Sequence, residues 1–275
     1  MANFHSDEYI MNGIYKHYQE ALNYFPENRI VGIFCQGSPN YGLDYEKSDI
    51  DTKLIVLPSF DDIAFNRKPV STTHICENEE HIDFKDLRLY IQTFRKQNLN
   101  FLEILFTDFK IVNPQYEKFW NRLVANREAI AHYNPYQAIK SMKGIAMEKY
   151  HAMEHPYPSK LDILDKYGYD PKQLHHLLRV EEYIGRYIAG EKYADCLRPQ
   201  GPEYLLSVKR GLYDLDTARV VAKTAIDNVT RIADAYAESV ENVGDIKVDK
   251  ILDEVQRDAM KLAVAIELME DEYYD

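Results

Sequence analysis

The 275-residue sequence predicts an α+β fold, with a mixed sheet in the N-terminal part and an all-helical C-terminal part. Three observations lead there. Two apolar strand-like runs, 30–34 and 54–57, bracket a polar loop, and a short alternating run, His81-Ile82-Asp83-Phe84, follows them. From Asn134-Pro135 onward every periodic segment has helical spacing. That dipeptide marks the expected boundary between a sheet-containing domain, 1–134, and a helical domain, 135–275.

Taken in order, residues 5–25 carry apolar and aromatic side chains at Tyr9, Ile10, Ile14, Tyr15, Tyr18, Ala21 and Leu22, a helical spacing that Pro26 breaks before the first strand. Beyond the second strand, the segment to about Glu80 has no clear period and reads as a loop with a short helix. A helix is expected over 84–96, then a compact apolar segment at 98–106, a strand-like run at 109–112 and a helix opened by Pro114. In the second half, helices are expected over 136–153, from Asp170-Pro171, over 203–210 with Gly211 as the stop, and over 214–239 and 248–275. On the helix after Pro171, Lys172, His176, Arg179, Tyr183 and Arg186 form one stripe facing outward or into a cleft. Leu174, Leu177, Leu178, Ile184 and Ile188 form the opposite, buried face.

Composition narrows the class. Hydrophobic content of 45% and charged content of 28% fit a soluble globular protein. No apolar run approaches the twenty or so residues of a membrane span, and the N-terminus lacks a basic stretch followed by an apolar one, so a cytoplasmic location without membrane partners is expected. Cys35, Cys76 and Cys196 lack metal-type spacing, which argues against zinc, and Cys35 reads as a packed core thiol. The net charge of −12 is concentrated at the end: residues 213–275 hold 16 acidic against 7 basic side chains, whereas 135–212 hold 10 against 12. A phosphate-bearing substrate would meet the first two thirds of the chain, and extended duplex DNA is not an expected partner.

The chemistry-bearing stretch runs over 30–58. After the first strand come a Gly37-Ser38 turn, a plausible seat for a phosphate, and then Asp49-Ile50-Asp51 at the entrance of the second strand. Strands alternate their side chains, so Asp49 and Asp51 are expected on one side of the sheet, where paired carboxylates call for a hard cation such as Mg²⁺ or Mn²⁺. A plainer alternative makes them solvated turn residues. Asp83, in the third run, is a further candidate carboxylate, or else a surface residue or the N-cap of the helix that follows.

The order strand, Gly37-Ser38, Asp49-x-Asp51, strand resembles the nucleotidyltransferase superfamily typified by DNA polymerase β. The resemblance implies that Gly37 and Ser38 hold an NTP's triphosphate. Asp49, Asp51 and Asp83 would bind two metal ions, one activating the attacking hydroxyl and one holding the phosphates. Two further stretches are similar to a narrower, RNA-repair-associated group: the segment from Asn98 to Phe106, and Tyr169-Asp170-x-Lys172-x-x-x-His176-x-x-Arg179. By that likeness Lys172, His176 and Arg179 face the triphosphate or the acceptor strand; a solvated helix face is the competing account. The expected reaction moves a nucleoside monophosphate from an NTP to an RNA end, such as that of a tRNA. Transfer to a protein or small-molecule hydroxyl, and a non-catalytic antitoxin-like partner, are the alternatives.

Overall fold

A computed structural model describes residues 4–274, with side chains up to residue 269. The first half comprises α1 (Asp7–Ala21), β1 (Ile30–Gln36), α2 (Ser38–Tyr41), β2 (Asp51–Val56), α3 (Phe60–Ala64), β3 (Ser71–Ile75), β4 (His81–Asp86), α4 (Leu87–Arg95), α5 (Leu99–Leu102), β5 (Lys110–Val112), α6 (Glu117–Ala125) and α7 (Arg127–Ala131). The rest is helical: α8 (Pro135–Ala152), α9 (Leu161–Tyr167), α10 (Pro171–Ile188), α11 (Tyr193–Leu197), α12 (Pro202–Lys209), α13 (Leu215–Ser239) and α14 (Ile246–Tyr274). This is the α+β class that the sequence predicts. None of the helices, over the described residues, is long and apolar enough to cross a membrane.

The chain divides into two compact units. The first contains 1–40, 44–133 and 244–275, and the second 41–43 and 134–243. In chain order the unit changes at 133/134 and again at 243/244. The last helix does not follow the expected division: α14 belongs to the first unit, where Val248, Leu252, Val255, Ala259 and Ala263 are buried. Ion pairs from Arg95 to Asp249 (2.7 Å) and Asp253 (2.6 Å), and from Arg122 to Glu254, tie it to α4 and α6. An acidic helix finds its cations there.

In the first unit a five-stranded sheet runs in the order β3-β4-β2-β1-β5. Only β2 and β4 are parallel; the other neighbours are antiparallel. Ile10, Ile14, Tyr18 and Ala21 of α1 bury one face through Ile33, Cys35, Leu54, Val56, Ile82 and Phe84. On the opposite face Phe34 meets Trp120 of α6, ring centroids 4.0 Å apart, and α4 buries Leu87, Tyr90, Ile91 and Phe94. Two local expectations are corrected. β4 continues through Asp86, which caps α4 by accepting from the Arg88 N–H, so the helix starts at Leu87 rather than at Phe84, and Asp83 lies within a strand and is not a cap. β3, expected as loop, is an edge strand whose residues are mostly exposed, so no apolar alternation announces it.

In the second unit α8, α10 and α13 pack on one another. Ala218, Ala222, Ala225 and Ala233 give α13 a smooth contact face, completed by Ile226 and Val229. The start of α10 is the one expected, Asp170 as cap and Pro171 in the first turn; α8 and α13 begin in the same manner, Asn134 and Asp214 each accepting a hydrogen bond from a backbone N–H of the first turn and Pro135 opening α8.

Candidate active site

Strand register builds one edge of the sheet. Gln36, the last residue of β1, pairs with Asp51, the first of β2; in the parallel pairing with β4, Thr52 stands beside Ile82 and Lys53 beside Asp83. The C-terminal end of β1 and the N-terminal ends of β2 and β4 therefore coincide. Side chains alternate with a period of two, so Asp51, Lys53 and Asp83 share a face with Gln36.

The Gly37–Ser38 turn leaves β1 at this edge. Gly37 has φ +82°, a left-handed conformation that glycine adopts without cost. Its N–H donates to Glu103 Oε1 at 3.3 Å, so a buried carboxylate already faces the turn. Ser38 Oγ donates to Ser48 Oγ at 3.2 Å, and Ser48 Oγ accepts from the Tyr45 N–H, which folds the intervening loop back on the turn.

Asp49 is exposed and precedes β2, which begins only at Asp51, so strand alternation does not govern it. The reason is visible at Ile50. Its N–H bonds to Glu80 Oε1 (2.9 Å) instead of to a neighbouring strand, and the other Glu80 oxygen meets His17 Nε2 (3.2 Å). His17, buried on α1, reaches Thr52 Oγ1 through Nδ1 at 2.9 Å. Asp51 Oδ1 accepts from the His81 N–H at 3.0 Å and lies 3.2 Å from the ring Nδ1 of the same residue. Glu80 and His81, at the start of β4, thus hold Ile50 and Asp51 in place.

Asp83 is 28% exposed and both its oxygens are engaged: Oδ1 by the Thr73 hydroxyl at 2.6 Å, Oδ2 by the Lys53 ammonium at 3.3 Å. Lys53 is only 3% exposed. Its Nζ also donates to Gln36 Oε1, and it lies 4.5 Å from the Phe101 ring centroid, as does the Nζ of Lys85. Burial pulls both lysines below the usual ammonium range, and Asp83 opposes this in each case.

Hard carboxylate oxygens suit Mg²⁺ or Mn²⁺ chemically. Yet no three His, Cys, Asp or Glu side chains among the described residues are grouped as a metal site, and the Asp83 oxygens face an ammonium and a hydroxyl. With both oxygens so engaged, Asp83 does not fit the place of a third ligand beside Asp49 and Asp51 in a two-ion set.

Lys172, His176 and Arg179 lie on α10, in the second unit. They do not form a common charged face. Lys172 is exposed and His176 half-buried, while Arg179 is buried, its guanidinium carbon 4.0 Å from the Tyr41 ring centroid. Burial, with His175, Arg179, Lys172 and Lys149 nearby, holds the His176 ring well below the usual imidazole range. The wheel misleads because α10 is covered on more than one side: His175, Tyr183 and Tyr187 are buried along with the leucines.

Sequence reading passed over Lys53, Glu80, His81, His17 and Glu103. Lys53 carried a signal, a charge directly before the apolar run 54–57, two residues after Asp51 and so on the same face. Cys35, read as a packed thiol, is fully buried, and burial followed by Glu103, Asp51, Asp44 and Glu80 pushes it far above the usual thiol range.

Neither a family model nor a curated protein matches this chain. Among solved structures it is similar to a nucleotidyltransferase-like protein from Exiguobacterium sibiricum 255-15, at 12% identity over 82% of this chain and 75% of that one, with a TM-score of 0.30. A likeness of that score decides neither fold nor chemistry.

Proposed function

We propose that this chain is a nucleotidyltransferase that moves a nucleoside monophosphate from an NTP to an acceptor hydroxyl, an RNA 3′ end being the acceptor that the sequence resemblance favours. One observation carries the reading: the Gly37–Ser38 turn follows β1 where Asp51 opens the neighbouring β2 and Asp83 lies near the start of β4 beyond it, with Lys53 of the middle strand against Asp83. The proposal rests on the first unit alone.

The reaction is an in-line displacement. The acceptor oxygen bonds to the α-phosphorus, the bond from that phosphorus to the bridging oxygen breaks, and pyrophosphate departs with the electron pair while the hydroxyl proton passes to water. Little covalent work falls to the protein, and its contribution is positioning and charge. Lys53 and Lys85 bring positive charge to a sheet face that also carries Asp51 and Asp83.

Incubation with each α-labelled NTP, Mg²⁺ and total RNA or lysate protein tests this. Label in RNA is the expected result. Label in protein moves the acceptor to a side-chain hydroxyl, and no label under any condition overturns the proposal. The doubly substituted Asp49→Asn, Asp51→Asn protein should lose at least about 10²-fold in rate, the scale on which removing a charged contributor acts; full activity there would place the centre elsewhere.

A further inference from the structure

The role of Asp83 is open in the reading above, on which this inference rests. Its partner is Lys53, and that lysine cannot retreat. It is 3% exposed, its ammonium is held by Gln36 Oε1 on one strand and Asp83 Oδ2 on the next, and the Phe101 ring covers it at 4.5 Å. Withdrawn from Asp83, the charge would be buried against an aromatic ring with one neutral acceptor, an arrangement that proteins avoid. The second oxygen of Asp83 is occupied by Thr73 at 2.6 Å. A divalent ion arriving at Asp83 would meet an ammonium already in contact with the same carboxylate, and Lys85 adds a second one on the same ring.

We propose that Lys53 is the resident cation of this sheet edge and that Asp83 is its counter-ion, not a metal ligand. The lysine supplies, from the chain itself, the positive charge that a second metal ion would otherwise bring. Asp83 then acts as a positioning residue: it keeps the ammonium at the edge, and Thr73 keeps Asp83 turned toward it.

The test counts ions. Mn²⁺ is titrated into the full chain and followed by electron paramagnetic resonance, with and without a non-hydrolysable ATP analogue. Asp83→Asn is expected to bind the same number of Mn²⁺ ions as the unaltered protein, with each Kd within twofold. Lys53→Met, which empties the ammonium position and frees Asp83, is expected to gain one ion per chain, and adding Asp83→Asn to it should remove that ion again. Loss of an ion in Asp83→Asn overturns the proposal, as does an unchanged count in folded Lys53→Met. Should circular dichroism show Lys53→Met unfolded, the partly exposed Asp83→Asn substitution decides alone. No nucleotide transfer is read in these titrations. Ion counts as expected alongside a failed labelling assay would remove the proposed function and leave the lysine–carboxylate pair standing.

Discussion

At the amide of Ile50, between the two aspartates, the Glu80 carboxylate accepts a hydrogen bond, and its other oxygen meets His17. Burial raises the Glu80 pKa, but the His17 and Asn78 side chains and the Ile50 N–H outweigh it and hold the carboxyl below its usual range. The sign follows from the lowered folded value. The stabilisation is present in full above the unfolded carboxyl pKa of about 4.3 and is lost as pH falls through the folded one. Glu80→Ala is therefore expected to cost about 1–3 kcal/mol at neutral pH, the scale of hydrogen bonds to a charged group, and less at pH 3. Urea unfolding at both pH values measures it, and an equal loss at both would contradict the assignment. Asp49 and Asp51 were legible in the sequence because their spacing is local. Glu80 and His17 were not: their contact joins residues 63 apart, and nothing in either neighbourhood announces the other.

Among the elements, β1 shows how register depends on a missing side chain. The pairing with β2 shifts between Ile30 and Gly32, and a Cβ at Gly32 would lie 2.8 Å from the Ile111 carbonyl oxygen on β5. That contact is with backbone, so the strand itself would have to move. Gly32→Ala is expected to destabilise the protein by about 1–3 kcal/mol, as overpacking does, and to lower the thermal unfolding midpoint. An unchanged midpoint would mean that the Ile111 carbonyl does not approach Gly32 this closely. The helices were mostly readable from apolar spacing and caps, since both are written within a few residues. β3 was not readable, because an edge strand with exposed residues has no buried face to leave a pattern, and its place is set by the ladder it makes with β4.

At the scale of the whole molecule, acid sensitivity is expected from the helical unit. His175 is 2% exposed, and its Nδ1–H donates to the Leu205 carbonyl at 2.8 Å. Burial is the main cause that takes its pKa down to about 3; the Leu205 bond opposes, and Lys209, Arg179 and Lys172 add to the fall. Between that value and the unfolded value of about 6.5, the unfolded chain carries a proton that the folded chain lacks, so stability falls as pH drops, by about 1.4 kcal/mol per pH unit from this group. Replacing it, as in His175→Gln, should flatten the pH dependence of unfolding across that window whatever it does to stability at pH 7; a slope unaltered by the change would show that the ring titrates normally. By itself the sequence determined the α+β class and the start of α10 at Asp170-Pro171, and it singled out the candidate carboxylates, because period, caps and short motifs are properties of neighbouring residues. Tertiary structure alone decided that α14 returns to the sheet-bearing unit, that Arg179 is buried, and that Lys53 rather than open solvent faces Asp83. Those outcomes turn on which distant segments supply burial and counter-charge, and register between strands far apart in sequence is settled only when the chain has packed.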